Sequence, residues 1–248
     1  MAETNTASRE RDIRVDLAAT FRLAVRFDLH EGICNHFTAR IDEHHFLVNP
    51  YGLHWSEITA SNLSLVDGRT GRVVGGGEAE RVAFQIHWPV YRDRADVRCI
   101  LHTHMPYATA ITMLDGGRLA MGEQVALRFH GRVAYDDEYP GPVGTQGEAE
   151  GDRLARTLGD TSVLFMRNHG VLVAASEIGV AFDDLYYLER CCRKQWMAAQ
   201  YRQPLAPIAP EVADASSNWF GSTYDVYKRT HFAAMKRLLA RDEPDYAT

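Results

Sequence analysis

The chain has 248 residues, of which 46% are hydrophobic and 24% charged, a composition typical of globular proteins. Its net charge is −6, and no segment gathers the basic stripe that binding to a phosphate backbone requires, so we expect no nucleic-acid partner. No run of about 18 apolar residues is present, and we expect no membrane span. The polar first residues, which lack an apolar signal core, predict a cytoplasmic protein.

Domain organisation is predicted to be simple. No repeat, low-complexity tract or linker divides the chain, so we expect one domain over residues 1–248. Residues 1–8 are predicted to be flexible, and residues 205–248 to form a loop and a helix that pack on the domain or on a neighbouring subunit. The four cysteines lack the spacing of a metal or disulfide framework, and we expect them to be reduced.

The first half of the chain shows helical and then strand-like patterns. Ile13, Leu17 and Phe21 recur at helical spacing and predict an amphipathic helix over about residues 9–29. Short apolar runs separated by Pro and Gly then predict strands with loops over about residues 33–66. The first half of the chain is therefore predicted to contain one opening helix followed by strands.

The second half places several polar residues at the ends of predicted strands. An apolar run ends at His102, and Pro106 opens a predicted helix, because Pro is well tolerated at the first helical position. Two apolar runs flank Asn168-His169-Gly170 and predict a hairpin. Long helical patterns follow over about residues 176–201 and 224–239.

Three histidines form the clearest candidate site. His102 and His104 lie two residues apart at a predicted strand end, a spacing that directs both rings to one face. His169, in a turn bounded by glycine, is a third candidate ligand, and three histidines leave one metal position open, as in catalytic sites. The alternative from spacing alone is that these are ordinary hydrogen-bonded histidines.

Four motifs in unbroken order resemble the class II aldolase/adducin family: Gly32 to Arg40, Leu47 to Leu53, His102-Thr103-His104, and Arg167 to Val171. The resemblance implies an α/β fold, a three-layer α/β/α sandwich around a mainly antiparallel sheet. It also implies a homotetramer with active sites between subunits. His102, His104 and His169 match the family's metal-binding histidines, and the expected ion is zinc, with manganese, iron or cobalt as alternatives.

Departures from the family pattern concern the substrate. The resemblance places the acid/base glutamate of sugar-phosphate aldolases where this chain has Ala83, and Glu80 is expected to be a solvated acid of the helix start. The resemblance implies a substrate-binding set of Asn35, His36, Tyr51 and Gly52. Tyr51 replaces a small hydroxyl residue, which disfavours a phosphate substrate, although packing at a core edge is the alternative for its ring.

These features predict a metal-dependent C–C lyase, a decarboxylase or an aldolase, acting on a small non-phosphorylated hydroxy, keto or hydroxyaromatic acid. The missing glutamate favours decarboxylation, which needs only a proton donor for the carbanion product. By its spacing Glu123 is the first candidate donor, ahead of His130, Tyr135 and Tyr139. The alternatives are a non-catalytic adducin-like interaction module and a non-haem iron oxidative decarboxylase.

A further histidine has two interpretations. His87 shares a predicted helix with Ile86 and Val90, and it is either a hydrogen-bonded core residue or a group that supports a metal ligand. The pattern slightly favours the core role.

Overall fold

A computed structural model describes residues 2–142 and 147–248, without the side chains of residues 2–7, 222 and 223. The described residues form one eight-stranded sheet in the order β4-β3-β2-β1-β5-β8-β7-β6. Neighbouring strands pair antiparallel except β6 and β7, which are parallel. The strands are β1 (His36–Arg40), β2 (His45–Val48), β3 (Ser64–Asp67), β4 (Arg72–Gly75), β5 (Cys99–Thr103), β6 (Val133–Asp136), β7 (Val163–Met166) and β8 (Gly170–Ala175).

Helices cover the sheet, and the α/β class predicted from the sequence is confirmed. They are α1 (Ala2–Arg26), α2 (Arg81–Asp93), α3 (Pro106–Thr112), α4 (Glu148–Leu158), α5 (Ile178–Ala199), α6 (Pro210–Thr223) and α7 (Asp225–Asp242). Three short 3-10 turns span Trp55–Glu57, Ala126–Phe129 and Pro244–Ala247. No helix among the described residues is long and apolar enough to cross a bilayer.

Each face of the sheet has its own apolar core, because successive side chains of a strand point to opposite faces. On β5, Leu101 belongs to the larger core, together with Phe21 of α1 and Leu185 of α5. Ile100 belongs to the second core, together with residues of α2 and α4 such as Leu154. The central strands β1, β5 and β8 are therefore buried on both sides, whereas the edge strand β4 is largely exposed.

Strand register brings the histidines of the candidate site to one edge of the sheet. His36, the first residue of β1, lies opposite His102 near the end of β5. Thr103 pairs with Val171, so the end of β5 also adjoins the β7–β8 turn that carries His169. Because β5 lies between β1 and β8, one strand end collects side chains from three parts of the chain.

One part of the fold differs from the sequence-based expectations: between the predicted loop and the last helix the chain forms an additional helix, α6. Among the described side chains of α6, only Ala213 and Phe220 are buried in a small separate core, so its sequence shows no strong apolar stripe. Met1 lies outside the described residues. Residues 2–8 lie within α1, which ends at Arg26, and their flexibility stays a prediction.

The C-terminal residues pack on the rest of the domain. The N–H of Ala60 donates to the carbonyl of Tyr246 at 2.9 Å, and the N–H of Ser61 donates to the carbonyl of Thr248 at 2.8 Å. Arg22 of α1 forms an ion pair with Asp245 at 2.7 Å. These contacts join the last turn of the chain to α1 and to the loop that precedes β3.

Candidate metal centre

The three histidines predicted as metal ligands lie together. A potential ligand nitrogen of each of His102, His104 and His169 lies within 4.8 Å of those of the other two. Their ring centroids are 4.8 to 5.2 Å apart. Metal–imidazole bonds are about 2 Å long, so small side-chain rotations would let one ion bind all three nitrogens.

Hydrogen bonds orient two of the rings. The carbonyl of Val171 only accepts hydrogen bonds, so Nδ1 of His102, 3.0 Å away, carries the hydrogen. Nδ1 of His104 lies 2.5 Å from Oε2 of Glu31 and donates to that carboxylate. Both rings therefore present an unprotonated Nε2, and Nε2 of His104 is buried without a partner among the described residues.

Burial keeps His102 and His169 in the form that binds metals. Burial, together with the neighbouring histidines, lowers the pKa of His102 well below its usual range. Burial and the nearby His104 lower the pKa of His169 to about 4. Metal ligation requires neutral imidazole. The unpartnered nitrogen of His104, the lowered pKa values of His102 and His169 and the convergence of three nitrogens fit a divalent metal ion.

Two asparagines in the left-handed backbone region determine the shape of the loops that carry the site. Asn168 has φ +53° and precedes His169 in the β7–β8 turn, where its N–H donates to Thr112 at 3.1 Å. Asn35 has φ +74°, and its Oδ1 accepts the backbone N–H of His104 at 3.2 Å. Asn tolerates this region better than most residues, so both loops hold their turns at modest cost.

A cavity of about 390 Å³ opens over the histidines. The other residues that line it are Cys34, Asn35, His36, Glu80, Val82, Tyr139, Pro142 and Asn168. Among the described lining residues there is no Lys or Arg, the side chains that usually bind phosphate dianions. Within one chain the cavity offers uncharged donors and one carboxylate beside the three imidazoles.

The predicted substrate-binding residues divide into two groups. Asn35 and His36 line the cavity. Tyr51 and Gly52 do not belong to its lining: the Tyr51 side chain is 63% exposed, and its N–H donates to the carbonyl of Glu78 at 2.7 Å. Gly52 has φ +84°, a turn conformation that glycine adopts without strain. A substrate role for these two residues remains a prediction.

Glu123, predicted as the proton donor, does not line the cavity of its own chain. Its carboxylate accepts from Nζ of Lys194 at 2.5 Å and from the N–H of Val125 at 2.9 Å. Burial raises the pKa of Glu123, but these hydrogen bonds outweigh burial and hold it below its usual value. Within its chain Glu123 is thus an ionised, paired carboxylate, and its catalytic role remains a prediction.

Two groups near the site were not identified as such from the sequence: Glu31 orients His104, and Glu80 lines the cavity. Tyr139, a secondary candidate donor from the sequence, also lines the cavity. Partial burial raises the pKa of Glu80 above its usual value. The available signal in the sequence was spacing: Glu80 lies three residues before Ala83, and residues three apart share one helix face. In the structure Ala83 is buried.

The mixed α/β sheet and the histidine cluster at its edge define an α/β protein with a candidate metal centre. Residues 15–196 match the model of the class II aldolase and adducin N-terminal domain. The chain therefore belongs to the class II aldolase and adducin family. An adducin-related protein of Schizosaccharomyces pombe is 34% identical over 241 residues, which cover 90% of this chain and 69% of that protein.

Two solved structures share the fold. A crystal structure of an aldolase II superfamily protein from Pseudomonas syringae has a TM-score of 0.87 and 34% identity, covering 96% of each chain. An L-fuculose 1-phosphate aldolase from Glaciozyma antarctica has a TM-score of 0.84 and 26% identity, covering 97% of this chain and 94% of that one. The similarity thus extends over nearly the whole chain, including the helices after β8.

Proposed function

We propose that this protein is a metal-dependent C–C lyase acting on a small, non-phosphorylated hydroxy, keto or hydroxyaromatic acid. The observation that carries the proposal is the set of three converging imidazoles, one with a buried Nε2 that has no partner among the described residues, on the wall of a cavity. The likeness to an L-fuculose 1-phosphate aldolase supports lyase chemistry. The absence of Lys and Arg from the described lining supports a substrate without phosphate.

His102, His104 and His169 would hold the divalent ion, for which we propose zinc. When bound, the ion supplies a Lewis acid that stabilises negative charge on a substrate oxygen. Asn35 and His36 lie beside it on the same wall and would contact the remaining polar groups of the substrate. Val82 and Pro142 supply apolar surface that reduces access of water to the reacting carbon.

Decarboxylation fits the lining better than aldol cleavage. Aldol chemistry needs a base that removes a proton from the attacking carbon. Where the resemblance to the family places that glutamate, this chain has Ala83, whose methyl group cannot act as a base. Decarboxylation needs only a donor that protonates the product carbanion. Tyr139 offers a phenol on the cavity wall of the same chain, and Glu123 of a neighbouring subunit in a homotetramer is the other proposed donor.

The first test is elemental analysis of untagged protein purified without chelator and reconstituted with zinc. We expect about one transition metal per chain, lost in His102→Ala and His169→Ala. His45→Ala is the matched control, because His45 sits in a hairpin where its ring contacts Asp42 at 2.9 Å, away from the cavity lining. A wild-type protein that takes up no metal would refute the proposal.

Turnover assays then separate the alternatives. Release of carbon dioxide or an aldehyde from a hydroxy or keto acid without oxygen would support the lyase. Strict dependence on oxygen and iron would instead identify an oxidative decarboxylase. The adducin-related relative favours a second candidate function, an interaction module without turnover, and a protein that binds no metal and no small acid would be assigned to it.

A further inference from the structure

A chain of buried hydrogen bonds runs from the cavity wall into the protein. Nδ1 of His36 lies 3.1 Å from Nε2 of His87, and Nδ1 of His87 lies 2.8 Å from Oγ1 of Thr38. The same Oγ1 lies 2.9 Å from the hydroxyl oxygen of Tyr91. All four side chains are buried. Each hydrogen in the chain therefore has to find its acceptor within the protein.

The inner end of the chain fixes its direction. The guanidinium of Arg40, which lies 4.7 Å from the Tyr91 ring centroid, only donates hydrogen bonds. Among the described residues, Oγ1 of Thr38 is the acceptor within reach of the Tyr91 hydroxyl. Tyr91 therefore donates to Thr38.

The order of donors and acceptors fixed at Tyr91 determines the hydrogen positions along the chain as far as the cavity. Thr38, which accepts from Tyr91, has its own hydrogen free to donate to Nδ1 of His87. A neutral His87 then carries its hydrogen on Nε2 and donates it to Nδ1 of His36. His36 consequently carries its hydrogen on Nε2, on the opposite side of the ring from His87. His36 lines the cavity, so this N–H is the group that it offers to a ligand.

We propose that His36 is a neutral Nε2–H donor to the substrate, fixed in this tautomer by His87, Thr38 and Tyr91, and not a fourth metal ligand. The ring of His36 is only 4.9 Å from that of His102, so distance alone does not distinguish their roles. Their neighbours separate their roles. The Val171 carbonyl leaves a lone pair on Nε2 of His102, whereas His87 leaves a hydrogen on Nε2 of His36.

A second donor indicates the substrate class. Oδ1 of Asn35 is used by the backbone N–H of His104, and Nδ2 of Asn35 is buried without a partner among the described residues. Asn35 and His36 thus provide two uncharged donors beside the three imidazoles. This arrangement would suit an acid whose carboxylate is adjacent to a hydroxyl or keto carbon, such as a 2-hydroxy or 2-keto acid, with the ion held by the three histidines. The assignment of substrate class rests on the proposed metal-dependent function.

The tautomer is tested in metal-free protein labelled with ¹⁵N-histidine. Two-bond ¹H–¹⁵N correlations identify the nitrogen that carries the hydrogen, and His36→Gln assigns the signals of His36. We expect the Nε2–H form in the wild type. Tyr91→Phe removes the terminal donor and should populate both tautomers of His36, whereas Tyr246→Phe, a buried tyrosine in the C-terminal turn, should not. An Nδ1–H form in the wild type would overturn the proposal.

Binding of pyruvate to zinc-loaded protein tests the role of the N–H. His36→Gln places an amide N–H near the same position and should keep the affinity within about threefold. His36→Leu should weaken pyruvate binding by about tenfold or more and leave the zinc affinity unchanged. Unchanged pyruvate affinity, or loss of zinc in His36→Leu, would contradict the donor role. A wild type that takes up no zinc would refute the proposed function, and the tautomer measurement would still decide on the hydrogen-bond chain.

Discussion

Gly170 leaves the space that the His104 ring occupies. A Cβ built on Gly170 would lie 2.7 Å from Cδ2 of His104 and 2.7 Å from the carbonyl oxygen of Thr103. Side chains do not approach so closely without displacement. The first residue of β8 therefore determines where His104, a proposed metal ligand at the end of β5, can lie.

Gly170→Ala should displace His104 and lower the zinc affinity by about tenfold or more, because the added methyl collides with the ring and with backbone. Competition with a chelating dye measures the change. Gly75→Ala is the matched control, since its nearest neighbour, Cβ of Leu65, would be at an ordinary 3.7 Å. If the two variants bound zinc equally well, the His104 ring would accommodate the added methyl without loss of affinity, and the prediction would be wrong.

Glu31→Ala should lower the zinc affinity by about 10–100-fold, because it removes the carboxylate that orients His104. Glu31→Gln keeps an oxygen acceptor and should lie between this variant and the wild type. Glu43→Ala, at the exposed β1–β2 hairpin, should match the wild type. Isothermal titration with zinc gives all four affinities, and no loss in Glu31→Ala would refute the orienting role.

The free energy of unfolding of the metal-free protein should fall as the pH drops below about 6.5. The pKa of His169 is lowered to about 4, and that of His102 lies well below its usual range. The unfolded chain therefore binds protons that the folded chain excludes. Each such histidine contributes about 1.4 kcal/mol per pH unit between its unfolded and folded pKa, with full stability above the unfolded value.

Urea unfolding at pH 8, 6 and 5 measures this slope. His169→Asn removes one titrating group and should reduce the slope between pH 6.5 and about 4 by one proton. A wild-type stability that does not change between pH 8 and 5 would contradict the lowered pKa values.

Asp184→Asn should destabilise the protein by about 3–5 kcal/mol. The fully buried carboxylate of Asp184 accepts from Arg132 at 2.9 Å, Lys228 at 3.0 Å and Arg128 at 3.1 Å. The neutral amide removes the anionic partner of the buried Lys228 and leaves the buried Arg128 with Asp183 alone. Asp214→Asn, which alters an exposed ion pair, should cost less than about 1 kcal/mol. Urea unfolding of both variants checks the difference, and similar costs would contradict it.

Local spacing indicated part of the histidine triad, His102 and His104 at a strand end and His169 in a turn next to glycine, and left hydrogen-bonded histidines as the alternative. The resemblance to the family supplied the rest, because its motifs match all three positions. The tertiary partners of these ligands were not predictable in the same way. Glu31 meets His104 across 73 residues of sequence, and His87 meets His36 across 51, and both contacts depend on how strands and helices pack.

His87 illustrates this limit of sequence analysis. The pattern of apolar residues on α2 favoured a core role, and the residue is indeed fully buried. The same buried position brings its ring against His36, because β1 lies under α2. Periodicity predicts which face of a helix is buried, but it does not predict which polar atom of the neighbouring strand a buried residue contacts.

The anchoring of the ligand rings has a consequence for how the protein acquires metal. His102 and His104 already have their Nδ1 atoms bound to Val171 and Glu31, and the strands that carry the site belong to the buried core. A site ordered in this way does not rely on the ion for folding, unlike small zinc domains that unfold without it. Chelated protein should therefore stay folded and accept different divalent ions in turn, so that cellular supply, more than the fold, selects the metal.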